Sequence, residues 1–188
     1  SARTIQLDLP PFTLIAATTR IAMLSAPLRS RFSGGTFKLE FYSDEEIEKI
    51  IDRSAKILGI KIDPEAKKEI SKRSRSTPRT ANYLLKRSRD LAQIKNKDLT
   101  HEIVKEALNM LKIDELGLNA EDRAMLEIIE NKFDGGPVGL NTLSAALSEE
   151  QATIEDVYEP YLLQLGLIER TPKGRTTTDR TKKHLGKN

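Results

Sequence analysis

The sequence predicts a mainly helical protein in three parts: the end of an α/β domain, a bundle of four helices, and a last unit of three helices and a β-hairpin. Three observations lead to this prediction. An apolar, β-prone run follows two prolines near the start, amphipathic segments with capping residues fill the middle, and two short β-prone runs flank a Pro-Lys-Gly turn near the end. Three helices followed by a hairpin is the order of a winged helix-turn-helix.

Composition narrows the class of protein. The chain has 188 residues, of which 31% are charged and 38% are hydrophobic, and no run approaches the length of a membrane span. The start of the sequence lacks the layout of a signal peptide. Cysteine is absent, and His101 and His184 are far apart, so neither a disulfide nor a recognisable structural zinc site is expected. We therefore predict a soluble protein without a metal site, and the absence of cysteine permits a reducing compartment.

Positive charge is concentrated at the carboxyl end. Residues 166–188 contain seven Lys or Arg against two acidic residues, whereas the preceding residues contain 24 basic and 26 acidic ones. A local excess of this kind predicts a polyanionic partner, and nucleic acid is the most common one.

The first part, residues 1–42, reads as two strands joined by a connector. The strands are predicted at residues 12–17 and 37–42. Two strands cannot form an independent domain, so this part is expected to be the end of a larger α/β domain.

Polar and cationic residues follow the first of these strands. Thr18 and Thr19 come directly after it, and Arg29 and Arg31 close the connector. Ligands of open α/β sheets bind at the carboxyl ends of strands, where hydroxyl and guanidinium groups suit a phosphate. The alternative is that the threonines only terminate the strand and the arginines are solvated. The spacing does not decide between these two interpretations.

The second part reads as four helices, each with a start signal. Ser43 with Glu46 forms a capping box, Asp63-Pro64 and Thr77-Pro78 open the next two helices, and Thr100 caps the fourth. Arg79 lies in the first turn of the third helix, where a cation opposes the helix dipole. That position makes sense if Arg79 faces an anion, which a helix start also attracts. A solvated arginine on a basic surface explains it equally well.

The last part reads as three helices and a hairpin. Asn119 caps the first helix, residues 140–147 form the second, and Thr153 caps the third. The strands are predicted at 167–170 and 175–178. Arg170 and Arg175 flank the hairpin turn, where a wing would meet a DNA groove or phosphate. A winged helix can also dock proteins, but the local positive charge favours DNA.

Several blocks of sequence resemble the RuvB family, the bacterial hexameric AAA+ motors that drive branch migration of Holliday junctions. The matching blocks run along essentially the whole chain: LDLPPFTLIAATTR, LSAPLRSRF, LEFY, STPRTANYLLKRSRD, DELGL, GGPVGLNTLSAALSE, IEDVYEPYLLQLGLIERTPKGR and HLG. The resemblance implies a remnant of the AAA+ large ATPase domain at 1–42, a four-helix AAA+ lid at 43–114 and a winged-helix DNA-binding domain at 115–188.

The resemblance also implies roles for single residues near a nucleotide. Thr19 matches sensor 1, and Arg31 matches the arginine finger that reaches the nucleotide of a neighbouring subunit. Arg79 matches sensor 2, and Tyr42 and Pro78 match positions that bind ATP beside the adenine.

For DNA and other partners, the resemblance implies that Arg170, Lys173 and Arg175 of the wing contact DNA. It further implies duplex and Holliday junction DNA, RuvA, RuvC and a homohexamer as partners, together with a bacterial cytoplasmic location at the nucleoid. Ala16 and Ser30 depart from the family, which usually has Gly and often has an acidic residue at these positions.

The sequence contains neither a G-x-x-x-x-G-K-[ST] motif nor an apolar run ending in Asp-Glu, so it lacks the Walker A and Walker B elements. ATP and Mg²⁺ are therefore expected in the intact motor but not tightly bound to this chain alone. We expect the chain to be the carboxyl-terminal part of such a motor, inactive as an ATPase by itself. A non-enzymatic winged-helix DNA-binding module and a fragment of an AAA+ initiator or loader remain as alternatives.

Overall fold

The computed structural model describes residues 10–186. They divide into two compact units, the first ending at Glu40 and the second beginning at Phe41. Across the described residues, no helix has both the length and the apolar character needed to cross a bilayer.

The first unit contains a 3₁₀ turn at Ile21–Met23 and a short helix, α1, at Ala26–Ser30. The strands predicted at 12–17 and 37–42 are wrong for the structure, because no strand occurs within residues 10–42. A strand requires backbone hydrogen bonds to a neighbouring strand, and no described residue pairs with either segment. Their apolar side chains are correspondingly exposed: 70% for Phe12, 90% for Ile15 and 82% for Phe37. These segments have the composition of strands without the pairing.

The second unit begins with the four predicted helices. They are α2 at Asp44–Ile57, α3 at Pro64–Arg73, α4 at Pro78–Ile94 and α5 at His101–Met110. The Ser43–Glu46 capping box is confirmed, and Asp63 caps α3 by accepting the Glu65 amide hydrogen at 3.2 Å. Thr77 and Thr100 occupy the N-cap positions of α4 and α5, but neither side chain makes a capping hydrogen bond.

Apolar residues spaced along these helices form the core of the bundle. Its larger members are Ile47, Ile51, Ile70, Leu84, Leu85, Leu91, Ile103, Val104 and Leu108. Ser71 Oγ donates to the carbonyl of Asp44 at 2.9 Å, which holds the start of α2 against the end of α3. The residues just before α2 and just after α3 therefore share one end of the bundle.

The winged-helix portion follows. It contains α6 at Ala120–Lys132, α7 at Leu140–Leu147, α8 at Gln151–Thr153, a π-helical turn at Ile154–Tyr158, α9 at Glu159–Gln164, β1 at Ile168–Thr171, β2 at Gly174–Thr177 and α10 at Asp179–His184. Asn119 and Asp122 form a capping box at the start of α6, as the sequence predicts for Asn119.

The predicted cap at Thr153 is wrong, because the helical segment begins at Gln151 and Thr153 lies inside it. The π-helical turn follows directly, and the Glu159 amide donates to the carbonyl of Ile154. Pro160 has no amide hydrogen to donate to a carbonyl in the preceding turn. A local π bulge before a proline turns Glu159 toward the interior, where its side chain is fully buried.

The hairpin is antiparallel and pairs Arg170 with Arg175. A third segment joins it, because Val138 and Arg175 exchange two backbone hydrogen bonds of 2.9 and 2.8 Å. Buried residues from this segment, the helices and β1 form a second core, separate from that of the bundle: Leu118, Met125, Leu126, Ile129, Val138, Leu143, Ile154, Tyr158, Leu162, Leu167 and Ile168. The hairpin is thus fixed on the body of the winged helix.

Candidate nucleotide and nucleic-acid sites

The two candidate residues of the first unit are exposed. Thr19 follows Thr18, whose hydroxyl accepts the Arg20 amide hydrogen at 3.0 Å, and Arg31 is the C-cap residue of α1. Arg29 donates Nη1 to the carbonyl of Leu24 at 3.0 Å, so this arginine stabilises its own loop. Within residues 10–186, no hydrogen bond or ion pair involves the Arg31 guanidinium. Arg31 therefore has its whole guanidinium available to an anion, whereas Arg29 has one N–H committed to its own loop.

Three candidate residues lie at one end of the four-helix bundle. Tyr42 precedes α2 and is partly exposed, while Pro78 and Arg79 form the first turn of α4. The hydrogen bond between Ser71 and Asp44 brings the start of α2 to the end of α3. Ser71 lies three residues before the turn that leads into α4. Arg79 is exposed, and no described residue pairs with it. The start of α4 therefore presents free amide hydrogens and a free guanidinium to an anion.

Arg170 and Arg175 share a buried carboxylate. Arg170 Nε donates to Glu159 Oε2 at 2.6 Å, with a second ion-pair contact from Nη2 to the same oxygen. Arg175 Nε donates to Glu159 Oε1 at 2.5 Å, and its Nη2 donates to Glu155 Oε1 at 3.0 Å. The Arg170 side chain is 49% exposed, whereas that of Arg175 is only 13% exposed and that of Glu159 is not exposed at all.

This arrangement gives the two arginines different capacities. Burial by itself lowers the pKa of Arg175, but the hydrogen bonds and negative charges of Glu159 and Glu155 outweigh burial and raise that pKa above its ordinary value. Arg175 is thus a charged residue committed to two carboxylates. Arg170 keeps half of its side chain in solvent, so it can bind Glu159 and a further anion together.

Glu159 is the buried partner of both wing arginines, and the sequence does not point to it. Its partners are eleven and sixteen residues away, on the two strands of the hairpin. A signal was present, because a glutamate followed by proline inside an amphipathic helix marks a local break. That signal does not reveal the direction in which the carboxylate turns.

The third helical segment of the winged helix is acidic. No Lys or Arg occurs between Lys132 and Arg170, and this stretch contains seven acidic residues: Asp134, Glu149, Glu150, Glu155, Asp156, Glu159 and Glu169. In helix-turn-helix proteins the corresponding helix enters the major groove, where the phosphates on both sides repel carboxylates. The α8–α9 segment is therefore unsuited to contact DNA.

Exposed cations lie on the hairpin turn and on α10 instead. Four basic side chains here are exposed and make no ion pair with any residue in the range 10–186: Lys173, Arg180, Lys182 and Lys183. Helix α10 is anchored by Thr181, whose hydroxyl donates to the carbonyl of Leu167, and by His184 Nε2, which lies 3.0 Å from Asp114 Oδ2. The positive surface is thus on ordered elements. In residues 10–186, no three His, Cys, Asp or Glu side chains are grouped so as to hold a metal ion.

Three family models match the chain in succession. The Holliday junction DNA helicase RuvB P-loop domain matches residues 1–38, the RuvB AAA lid domain matches residues 42–114, and the RuvB C-terminal winged helix domain matches residues 115–186.

Relatives and a solved structure agree with these matches. The Holliday junction branch migration complex subunits RuvB of Chloroflexus aggregans and Chloroflexus aurantiacus are 55% and 53% identical to 98% of this chain. The chain spans 53% of the length of each of these relatives. The structure of the Thermotoga maritima RuvB Holliday junction branch migration motor has a TM-score of 0.86 and 46% identity, and the match covers 95% of this chain and 60% of that one.

Proposed function

Because this chain belongs to the RuvB family, we propose that it provides the lid and the winged-helix DNA-binding part of an ATP-driven motor for branch migration of Holliday junctions in recombination and repair. We propose domain boundaries at 1–42, 43–114 and 115–188. The separate cores of the bundle and the winged helix, and the order of the family matches, support this organisation.

For the nucleotide, we propose that Arg79 contacts the phosphates as sensor 2, with Tyr42 and Pro78 near the adenine. The exposed guanidinium at a helix start fits an anionic group. Thr19 would act as sensor 1, and Arg31 as an arginine finger that neutralises charge on the transferred phosphoryl group of a neighbouring subunit. In the intact motor, bound MgATP would supply the phosphoryl group that is transferred.

The partners we propose follow the family. The intact protein would assemble as a homohexamer in the bacterial cytoplasm, at the nucleoid, and would work with RuvA and RuvC on Holliday junction and duplex DNA. The names of the relatives, which describe a subunit of a branch migration complex, support partnership within a complex.

The charge distribution of the winged helix carries the DNA proposal. Lys173 and the exposed part of Arg170 are positive on the hairpin, whereas the α8–α9 segment is acidic. We propose that the wing, together with Arg180 of α10, contacts phosphates and that the α8–α9 segment stays outside the groove. Binding through phosphates is independent of base sequence.

We expect Lys173→Ala and Arg170→Ala to weaken duplex DNA binding by similar factors for unrelated sequences. Each removed phosphate contact reduces the slope of log K against log salt by about one. Fluorescence anisotropy at four salt concentrations measures both quantities. Lys97→Ala, which removes an exposed lysine from the bundle, is the matched control and should leave both unchanged.

Arg175→Ala is also expected to weaken binding. Both Arg175→Ala and Arg170→Ala remove a partner of the buried Glu159, so Lys173→Ala gives the cleaner test. If Lys173→Ala and Arg170→Ala bind DNA as the parent chain does, the DNA proposal is wrong and the winged helix serves as a protein-docking module.

For ATP hydrolysis, we expect the 188-residue chain to show no turnover above background in a phosphate-release assay. The sequence contains no Walker A lysine to hold the β- and γ-phosphates and no Walker B acid to hold magnesium. Turnover that disappears in Arg79→Ala would contradict this expectation.

A further inference from the structure

Arg75 lies in the turn between α3 and α4, immediately before the residues that we assign to the nucleotide. Arg75 and Ser76 have φ values of +56° and +52°, which non-glycine residues rarely adopt in succession. Neither residue is a glycine or an asparagine, which adopt positive φ values with little strain. The conformation is maintained by contacts of the arginine side chain.

The Arg75 guanidinium contacts three groups that all lie outside the four-helix bundle. Nε donates to the carbonyl of Gly117 at 2.9 Å, Nη2 forms an ion pair with Asp122, and the guanidinium carbon lies 4.7 Å from the centre of the Tyr161 ring. These partners belong to the linker after α5, to α6 and to α9. One side chain of the bundle therefore reaches three elements of the winged-helix portion.

Each partner is itself held in place. Asp122 is buried, and its Oδ2 accepts the Asn119 amide hydrogen at 3.0 Å as part of the α6 capping box. The Tyr161 hydroxyl donates to the carbonyl of Leu116 at 2.7 Å.

The linker also packs directly on the end of α3. A Cβ added at Gly117 would lie 2.8 Å from the carbonyl oxygen of Arg73, and Arg73 Nη1 donates to the carbonyl of Ile113 at 3.1 Å. The partners of Arg75 on the winged-helix side are therefore themselves held by hydrogen bonds and close packing.

On the other side, Arg75 is tied to the start of α4. The Thr77 hydroxyl donates to the carbonyl of Arg75 at 2.9 Å, and Thr77 is the N-cap residue before Pro78 and Arg79. A displacement of this turn therefore displaces the groups that hold α6, α9 and the linker.

We propose that Arg75 is a positioning residue that locks the winged helix to the turn carrying Arg79, so that the bundle and the winged helix move as one body. The part of this proposal that concerns nucleotide rests on the proposed function. The mechanical lock does not rest on the proposed function, because its test uses neither nucleotide nor DNA.

A matched control is available within α4. Arg87 also pairs with an aspartate, Asp90 at 3.4 Å, and also lies over a tyrosine, 5.8 Å from the centre of the Tyr83 ring. All of these groups belong to one helix. Arg87→Gln thus removes the same kinds of contact without touching the junction between the bundle and the winged helix.

The test is a distance measurement on the 188-residue chain. Because the sequence has no cysteine, Lys97→Cys in the bundle and Gln164→Cys in α9 give a single pair of exposed spin-label sites for pulsed electron paramagnetic resonance. We expect a narrow distance distribution for the parent pair and for Arg87→Gln, and one at least twice as wide for Arg75→Gln. Arg75→Lys, which keeps the charge but not the planar fork, should be intermediate and serves if Arg75→Gln does not fold.

The proposal is overturned if the distance distribution for Arg75→Gln is no wider than that for Arg87→Gln. If Arg75→Gln does not fold, the same comparison is made with Arg75→Lys. The result is separable from the DNA proposal, because Arg75→Gln should keep the parent's salt slope for DNA binding. A broad distance distribution for Arg75→Gln together with normal DNA affinity supports the lock. A narrow distribution for Arg75→Gln, while Lys173→Ala loses DNA affinity, rejects the lock and leaves the DNA proposal standing.

Discussion

We expect Gly174→Ala to lower the free energy of unfolding of the winged-helix portion by about 3–5 kcal/mol, the sum of backbone strain and overpacking. Gly174 has φ +139°, a conformation that L side chains rarely adopt. A Cβ at this position would lie 2.3 Å from the carbonyl oxygen of Val138 and 2.9 Å from the amide nitrogen of Gly139. Both contacts are to backbone, which cannot turn aside as a flexible side chain would.

The damage would extend beyond the turn. Separating Gly174 from Val138 breaks the two hydrogen bonds between Val138 and Arg175, which fix the hairpin on the body of the domain. Arg175 is then drawn away from Glu159, whose carboxylate has no exposure to solvent. A buried carboxylate that loses a cationic partner is costly, so strain at one glycine affects the charged site as well.

Gly139→Ala is the matched control. This neighbouring glycine has φ −68° at the N-cap of α7, and an added Cβ would meet nothing within 4 Å. We therefore expect only the loss of an N-cap glycine, about 1 kcal/mol or less. Urea unfolding followed by circular dichroism measures both variants. A Gly174→Ala chain as stable as Gly139→Ala would contradict the strain argument.

Features governed by local interactions could be predicted from the sequence. The Ser43–Glu46 box, the Asp63-Pro64 start and the hairpin at a Pro-Lys-Gly turn each depend on residues within a few positions of one another. Helix α10 was not predicted, because its six residues have no apolar stripe. It is held by distant groups, the Leu167 carbonyl and the Asp114 carboxylate.

Features governed by long-range pairing could not be predicted in this way. Residues 12–17 and 37–42 have strand composition, but a strand also needs a partner, and composition does not supply one. The wing arginines illustrate the same limit for the site. The resemblance assigns Arg170 and Arg175 to DNA, whereas the fold adds a second, competing anion at Glu159. Choosing between phosphate and carboxylate requires the three-dimensional neighbours of each guanidinium.

The buried pair of Arg75 and Asp122 predicts an unusual dependence of stability on pH. Burial raises the pKa of Asp122 above its ordinary value, and the positive charge and hydrogen bond of Arg75 oppose that rise. Removing the guanidinium in Arg75→Gln leaves burial unopposed, so the pKa of Asp122 should rise further. The native state then holds a proton that the unfolded chain has already released.

The sign follows from this difference in bound protons. Stability falls with rising pH wherever the native state binds more protons than the unfolded state. For Asp122, this pH range begins near the pKa of the unfolded chain and ends at the raised pKa of the native state. The deficit of Arg75→Gln relative to the parent should therefore be smaller near pH 4, where it reflects the lost contacts to Gly117 and Tyr161, and should grow to about 3 kcal/mol or more at pH 7, the scale of a buried carboxylate without its partner.

Urea unfolding of both chains at pH 4.5 and pH 7 measures the change in this deficit. The double variant Arg75→Gln/Asp122→Asn has no titrating carboxyl at position 122. Its loss of unfolding free energy relative to the parent should therefore not grow between pH 4.5 and pH 7, as the loss for Arg75→Gln does. A deficit of Arg75→Gln that is the same at both pH values would show that Asp122 does not carry the unpaired charge. The guanidinium would then stabilise the junction through Gly117 and Tyr161 alone, by contacts that do not titrate in this range.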